Sequence, residues 1–226
     1  MATTGHRNAR RTDALSKQRI VEAAIEILDR DGEDALTFRA LAAHLATGSG
    51  AIYWHVANKN DLLTAATDRV FFHAMADAAH QTRPRESIRA IALGVFDAID
   101  AHPWVGAQLP REPWSALLQL FERIGGQVQA LGVFEAAQFN CASALVNYIL
   151  GIAQQNAASA RLLPHETERS AFLGAVTARW TQHDRTAYPF VHQVATQLRE
   201  HDDREQFLAG IDLILAGITA VLPARG

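Results

Sequence analysis

The stretch Thr37–Lys59, TFRALAAHLATGSGAIYWHVANK, decides the fold of the N-terminal part of the chain. Its first half places apolar residues at i, i+3, i+4 and i+7, which is the spacing of one helix face. Thr37 precedes that face and is suited to cap the helix. The run Thr47-Gly48-Ser49-Gly50 predicts a break in the helix, followed by a second short helix. The four apolar positions are Phe38, Leu41, Ala42 and Leu45.

The second helix has two different sides. Ile52 and Val56 are expected to point inward. The outward side then carries Ala51, Tyr53, Trp54 and His55. Aromatic side chains on an exposed helix face indicate that this face contacts another molecule. Because a helix-turn-helix places its second helix in the major groove of DNA, the stretch predicts binding to double-stranded DNA.

The run Tyr53-Trp54-His55-Val56, followed by Asn58-Lys59, resembles the DNA-binding domain of the TetR family of bacterial one-component regulators, in particular that of the tetracycline repressors. The resemblance covers the part of the chain from about Ser16 to Ala74, where the sequence pattern is specific. Beyond it, the likeness rests on the arrangement of helices. It implies a ligand-responsive regulator that binds a palindromic operator as a homodimer.

The resemblance also implies which residues read DNA. Arg39 matches an arginine that contacts guanine, and the arginine fork pairs with the O6 and N7 acceptors of that base. The positions of Tyr53, Trp54, His55 and Lys59 match residues that pack on sugars and phosphates or approach bases. The start of the second helix lies nearest to base edges, and its N–H groups suit a phosphate. The predicted DNA-binding residues are therefore Arg39, Ser49, Gly50, Ala51, Tyr53, Trp54, His55 and Lys59.

The chain departs from the family pattern within the same stretch. Ala46-Thr47 replaces a common Gly-Val pair, Gly50-Ala51 replaces Pro-Thr, and Phe38 replaces a threonine. The second helix contains no long bidentate reader such as Gln or Arg. Base discrimination is therefore expected from Arg39, from Tyr53, from contact of Ala51 with thymine methyls, and from DNA shape.

Composition fits a regulator that works inside the cell. The chain has 226 residues and a net charge of −3, but residues 1–20 carry five basic side chains against one acid. Such an arm suits a DNA contact, although a solvated tail is the simpler interpretation when the N-terminal tail is considered alone. The only cysteine, Cys141, cannot form an intramolecular disulfide, which favours a reducing cytoplasm. The most apolar stretch, residues 208–222, contains Asp212 and is too short for a membrane span, so no membrane is expected.

The fold class predicted from these patterns is all-α, since no alternating run bounded by turn residues indicates a strand. We predict a mobile basic arm over residues 1–13, and a three-helix DNA-binding domain over 14–74 with its motif at about 37–56. A larger helical domain for effector binding and dimerisation is expected over 85–222. Asn58 is suited to cap the fourth helix, with Asp61 at the third helical position.

Two helices of the larger domain are candidates for the dimer interface. The helix at about 135–161 is rich in small residues that allow close approach, and the last helix, at about 204–222, is apolar on most sides. The resemblance implies a four-helix bundle between two subunits, whereas the alternative is that both helices fill a monomer core. The residues concerned are Ala142, Ser143, Gly151, Ala153 and Ala157 in the first helix, and Phe207, Ile211, Ile214, Leu215 and Ile218, extended by Leu208, Leu213 and Leu222, in the last.

The middle helices are expected to enclose an unknown small apolar or aromatic ligand, because such sites are mostly apolar with a few placed polar groups. Asn140 and Asn147 lie one heptad apart, and buried amides need partners. His102 lies roughly where the tetracycline repressors have a metal-contacting histidine, but its surroundings do not match. No metal or cofactor is therefore predicted. The candidate ligand-binding residues are Phe96, His102, Trp104, Trp114, Phe121, Asn140, Asn147 and Trp180.

The sequence is compatible with three functions. The first is a repressor released from its operator by a small molecule. The second is a DNA-binding activator or architectural protein without an effector, which the helix-turn-helix cannot distinguish from the first. The third is a helical enzyme that uses His102, His183 or His192 as a base, but no nucleophile motif, metal spacing or phosphate loop supports it. The sequence therefore predicts a regulator that is not an enzyme.

Overall fold

The computed structural model describes residues 15–76, 81–109, 115–162, 166–200 and 202–220. Over these ranges the chain forms eleven α-helices, one short 3₁₀ turn and no strand, which confirms the all-α prediction. The basic arm 1–13, Trp114 and Leu222 lie outside the described residues. The helices are α1 (Lys17–Asp31), α2 (Phe38–His44), α3 (Ser49–Tyr53), α4 (Lys59–Ala74), α5 (Pro84–Ala101), α6 (Trp104–Gln108), α7 (Ser115–Ala130), α8 (Glu135–Leu162), α9 (Glu166–Thr181), α10 (Pro189–Glu200) and α11 (Asp203–Ala220), with the 3₁₀ turn at Glu33–Ala35.

The chain divides into two compact units. The N-terminal unit comprises Met1–His73 together with Ala107–Ala116, and the C-terminal unit comprises Ala74–Gly106 together with Leu117–Gly226. Of the described residues, 107–109, 115 and 116 group with the first unit, whereas the sequence pattern predicts one effector domain over 85–222. This grouping results from contacts between residues that are far apart in the chain, and no local sequence pattern indicates such contacts.

The N-terminal unit is built around the inner stripe of α1. Ile20, Ala24, Ile27 and Leu28 are all buried, as the helical spacing predicted. Polar side chains mark the helix starts: the Ser16 hydroxyl accepts a hydrogen bond from the backbone N–H of Arg19 at 3.2 Å. α1 ends at Gly32, whose φ of 79° is the left-handed conformation that glycine adopts without steric cost.

The centre of the C-terminal unit is formed by α5, α8 and α11, which pack against one another. Each helix contributes fully buried side chains with helical spacing. On the same core face, Phe207 stacks between Phe96 and Tyr148, with ring centroids 4.7 Å and 5.7 Å apart. The buried aliphatic residues include Ile88, Ile91, Val95, Ile99, Leu145, Val146, Ile149, Ile211 and Leu215.

α9 and α10 form a helical hairpin whose members pack against each other. The Thr177 hydroxyl on α9 donates to the backbone carbonyl of Ala195 on α10 at 3.3 Å. Ala195 is buried, whereas Phe172 and Phe190 are mostly exposed. The hairpin therefore presents apolar side chains to its surroundings in the isolated chain.

Within the described residues, one helical stretch, Glu135–Ser159 in α8, is long and apolar enough to cross a membrane. Its buried residues face α5 and α11, as in a core helix of a water-soluble domain. Its other side carries exposed Asn140, Asn147 and Gln155. Unpaired amides of this kind are costly in hydrocarbon, so packing inside the protein explains the apolar composition of α8 better.

Candidate nucleic-acid interface and effector region

Two backbone hydrogen bonds to the C-terminal turn of α2 stabilise the turn between α2 and α3. The backbone N–H of Ala46 donates to Ala43 at 3.2 Å, and that of Thr47 donates to Ala42 at 2.9 Å. This pair of bonds is the Schellman arrangement, and it puts Ala46 at a φ of 51°. The helix therefore ends before Thr47, and the prediction that Thr47-Gly48-Ser49-Gly50 forms the break is wrong for its second half. Ser49 and Gly50 are already helical.

The inward and outward directions of the residues from Ala51 to Val56 largely follow the prediction, but α3 ends at Tyr53, so Trp54, His55 and Val56 lie after the helix and not on it. Ile52 and Val56 are buried, with 0% and 4% of their surface exposed. Tyr53 is 55% exposed and Trp54 is 90% exposed. His55 is also exposed, while Ala51 is half-buried rather than outward. Burial of Ile52 fixes the rotation of this short helix, and buried Val56, whose N–H donates to the Ile52 carbonyl at 3.1 Å, fixes the turn that follows it.

The rings of Phe38 and Tyr53 connect the two helices of the motif. They are parallel to within 1°, with centroids 4.3 Å apart. Phe38 is the first residue of α2, and the Thr37 hydroxyl caps that helix by accepting from the N–H of Ala40 at 3.0 Å. The sequence pattern places Phe38 on the apolar face of the first helix, and Phe38 is a departure from the family pattern, but neither feature indicates its contact with Tyr53. The contact depends on the angle between α2 and α3, which residue spacing does not reveal.

The start of α3 is open to an approaching partner. Ser49 and Gly50 are exposed, and Gly48 at the N-cap provides no side-chain hydrogen bond to the helix. A β-carbon added at Gly50 would have no neighbour within 4 Å. Arg39, on the exposed side of α2, is the only arginine in the motif. Small side chains at a helix N-terminus allow a phosphate or a base edge to come close to the backbone.

Lys59 has a structural partner that the sequence did not indicate. Its ammonium donates to the backbone carbonyl of Glu33 at 2.6 Å, which ties the start of α4 to the 3₁₀ turn. Asn58 caps α4 as predicted, because its side-chain oxygen accepts from the N–H of Asp61 at 2.9 Å. The role of Lys59 in DNA binding stays a prediction, and its ammonium retains two further donors for a phosphate.

Further polar contacts fix the helices of the N-terminal unit. Arg69 on α4 pairs with Glu22 on α1 at 3.2 Å. The Gln108 amide donates to the carboxylate of Glu33 at 2.8 Å. The Ser115 hydroxyl donates to Asp68. These residues have no helical periodicity in common, so only their positions in the folded chain identify them as a set.

Several of the predicted ligand-binding residues take part in ring contacts, and their role in ligand binding stays a prediction. Phe96 is buried in the stack with Phe207. Trp104 is also buried, with its ring centroid 6.2 Å from that of His102. Phe121 lies 5.9 Å from Phe139 on α8. The structure therefore shows three separate ring contacts within the C-terminal unit.

The expectation that Asn140 and Asn147 are buried is wrong for the isolated chain. Both lie on the exposed side of α8. Heptad spacing puts two residues on one helix face, but it does not determine whether that face turns inward. Trp180 on α9 is half-buried. Within the described residues no group of three or more His, Cys, Asp or Glu could hold a metal ion.

The proposed interface stripe of α11 lies in the core of its own chain. Phe207, Ile211, Leu215 and Ile218 are buried, so the alternative prediction of a monomer core was correct for this side. The opposite side carries Leu213, which is 75% exposed. The exposed residues one helical turn from Leu213 on α11 are small, namely Ala209, Ala216 and Gly217, and the exposed side of α8 carries the small residues Ala144 and Gly151 beside the amides of Asn140 and Asn147.

Two family profiles match the chain over most of its length. The profile described as bacterial regulatory proteins, tetR family, matches residues 20–66. The profile described as tetracyclin repressor-like, C-terminal domain, matches residues 81–222. The chain belongs to the TetR family. The resemblance inferred from the residues around Tyr53 is thereby confirmed.

Known TetR-family proteins resemble this one in sequence and in structure. A helix-turn-helix transcriptional regulator from Saccharopolyspora erythraea is 31% identical over 147 residues, which is 64% of this chain and 62% of that protein. The chain thus spans about three fifths of that relative's length. A TetR transcriptional regulator from Streptomyces coelicolor is 52% identical, with a TM-score of 0.85 over 93% of this chain and 100% of that one. BioQ with its natural double-stranded DNA operator is 26% identical, with a TM-score of 0.61 over 92% and 99% of the two chains.

Proposed function

We propose that this TetR-family protein is a dimeric, sequence-specific repressor of transcription that a small molecule releases from its operator. The observation that carries the proposal is the exposed surface at the C-terminal end of α3 and in the turn after it, where Tyr53, Trp54 and His55 are exposed together. Large exposed apolar surfaces on a soluble domain indicate an interaction site. This one lies at the end of the second helix of a helix-turn-helix, which is the helix that enters the major groove.

The DNA contacts divide into reading and positioning. Arg39 reads a guanine, because its exposed guanidinium pairs with O6 and N7. The exposed N-terminus of α3 at Ser49 and Gly50 holds a phosphate, and the small Ala51 contacts a thymine methyl. Tyr53 approaches a base from the end of α3, whereas Trp54, His55 and Lys59 pack on the sugar-phosphate backbone and fix the register.

A second copy of the chain covers the exposed side of α8 and α11. Leu213 has exposed alanine and glycine residues next to it on α11, and small side chains let helices approach closely. On α8 the exposed amides of Asn140 and Asn147 accompany Ala144 and Gly151. β-carbons added at Gly151 and Gly217 would meet nothing within 4 Å, so both glycines leave space for a partner. Two DNA-binding units then contact two half-sites of a palindrome.

The effector is a small apolar or aromatic molecule that binds the C-terminal unit. Support comes from the tetracyclin repressor-like profile over residues 81–222 and from the aromatic side chains Trp104 and Phe121 in that unit. A ligand shifts the equilibrium only as far as it binds the DNA-free state better. In that state the two recognition helices no longer match successive major grooves. No catalytic step, metal or cofactor is part of this function, and the repressor works in the cytoplasm.

The proposal is tested by selecting bound sequences from random duplex DNA, and by repeating the selection with a panel of aromatic small molecules. We expect a palindromic site whose half-sites lie about one helical turn apart, or a multiple of it. At least one compound should lower retention of that site. Enrichment of no sequence would overturn the DNA-binding proposal. A site that no ligand affects would instead favour a regulator without an effector.

A further inference from the structure

We propose that Phe38 is a positioning residue for operator recognition, because its ring holds Tyr53 in one orientation beside Arg39. The inference rests on the proposed function and identifies a determinant of specificity in the same site. Phe38 itself has no polar atom in its side chain, so it cannot read a base edge or hold a phosphate. Its effect on DNA is exerted through the ring that it contacts.

The geometry supports a fixed arrangement rather than a chance contact. The two rings are parallel to within 1°, with their centroids 4.3 Å apart. Both belong to well-anchored helices. Phe38 follows the Thr37 cap of α2, and Tyr53 follows Ile52, which is fully buried. The positions of both Cα atoms are therefore fixed by the helices, and only a change of rotamer separates the rings.

Tyr53 is a side chain whose orientation depends on the contact with Phe38. It is the last residue of α3 and is 55% exposed, so its side chain would otherwise sample several rotamers. A side chain that is already fixed loses less conformational freedom when it binds. Phe38 covers one ring face, which leaves the other parts of Tyr53 for DNA.

The stack also links the two reading elements of the motif. Arg39 is the neighbour of Phe38 on α2, whereas Tyr53 lies on α3. A contact between Phe38 and Tyr53 thus fixes the distance between the arginine that reads guanine and the aromatic residue of the recognition helix. Discrimination between operators depends on that distance, because both side chains must meet their bases at the same time.

The test is a double-mutant cycle on the operator obtained from random DNA. Phe38→Leu removes the ring but keeps an apolar side chain, and Phe38→Tyr keeps the ring and serves as the matched control. We expect Phe38→Leu to weaken operator binding about 3- to 10-fold, the range of an aromatic pair, with unchanged affinity for random duplex and an unchanged salt dependence. Phe38→Tyr should bind like the parent. In a Tyr53→Ala background, Phe38→Leu should have no further effect.

A second measurement examines the stack without DNA. The chain contains three tyrosines, so labelled tyrosine gives few NMR signals, and Tyr53→Phe assigns the one of interest. We expect ring protons of Tyr53 to be shifted upfield by the Phe38 ring and to lose that shift in Phe38→Leu. Phe38→Met replaces Phe38→Leu in both measurements if thermal melting shows that the leucine variant is unfolded.

The outcomes separate this inference from the function on which it rests. Additive effects in the cycle, or equal loss on operator and random duplex, would overturn the positioning role while DNA binding stands. A loss of operator affinity in Phe38→Tyr would overturn the positioning role as well. If the parent protein selects no sequence at all, the proposed function is wrong and the role of Phe38 in operator recognition is wrong with it.

Discussion

Gly94 on α5 lies directly against the backbone carbonyl of Ala74, the last residue of α4. A β-carbon built on Gly94 would be 1.9 Å from that oxygen. The guanidinium of Arg123 on α7 donates to the next carbonyl, that of Met75, at 2.9 Å. Two helices of the C-terminal unit thus contact the backbone at the end of α4, where carbonyls lack partners within their own helix.

Replacing Gly94 by alanine should destabilise the protein by about 2 kcal/mol, because the helix backbones must separate to admit the methyl group. The matched control is Gly126→Ala on α7, where an added β-carbon has no neighbour within 4 Å. That variant should be more stable by about 0.5–1 kcal/mol, since alanine favours the helix. Urea unfolding measures both changes, and equal effects of the two substitutions would contradict the close contact.

Ala46→Gly should stabilise the helix-turn-helix. Ala46 adopts a φ of 51° after α2, a conformation that is unfavourable for a residue with a β-carbon. Glycine removes that strain, and the expected gain is about 0.5–1 kcal/mol after its larger entropy in the unfolded chain is counted. The same exchange at Ala43, inside α2 and exposed, should destabilise instead. If both glycine variants lower the midpoint of urea unfolding, the left-handed conformation of Ala46 is contradicted.

Arg39→Ala should cost about 1–3 kcal/mol of operator binding and relax the preference at one base position.

Lys59→Ala should weaken binding to all sequences alike and reduce the salt dependence. It should also lower the free energy of unfolding by about 1 kcal/mol, because the bond to the Glu33 carbonyl is lost. Competition binding with base-substituted operators separates the two residues, and unchanged operator affinity in Arg39→Ala would remove that arginine from the site.

Leu213→Glu should convert the dimer into a folded monomer. Leu213 is 75% exposed in the single chain, so a carboxylate there is solvated in the monomer but buried and unpaired in the dimer. Leu118→Glu on α7 is the control, since Leu118 is 66% exposed and lies outside α8 and α11. Sedimentation velocity with circular dichroism checks both properties. A parent protein that sediments as a monomer at micromolar concentration would refute the proposed interface.

Asp100 should make stability depend on pH. Partial burial, with the nearby carboxylates of Asp97 and Asp203, raises the pKa of Asp100 above 3.8. A raised folded-state pKa means that stability is lost as pH rises through that pKa. Asp100→Asn, which can still accept the hydrogen bond from the Asn156 amide, should therefore raise the Tm at neutral pH. The gain should vanish below about pH 3.8, and a gain that is the same at all pH values would argue against titration of Asp100.

Local features of the site could be predicted because their causes are local. The caps Thr37 and Asn58 were identified from sequence since each bonds an N–H three residues further along the chain. The inward direction of Ile52 and Val56 followed from helical spacing. Contacts between helices could not be obtained in this way. The bond from Lys59 to Glu33 and the stack of Phe38 on Tyr53 both join segments whose relative angle is set by packing.

The sequence by itself determined that this chain is helical, that residues 37–56 form a helix-turn-helix, and that aromatic side chains follow the turn. Short-range periodicity and caps are sufficient for these, because they act within one or two helical turns. Only the tertiary structure decided which side of α11 is core, since that helix is apolar on most sides and its pattern allows either Ile211 or Leu213 to face inward. Packing on α5 and α8 buries Ile211 and leaves Leu213 exposed.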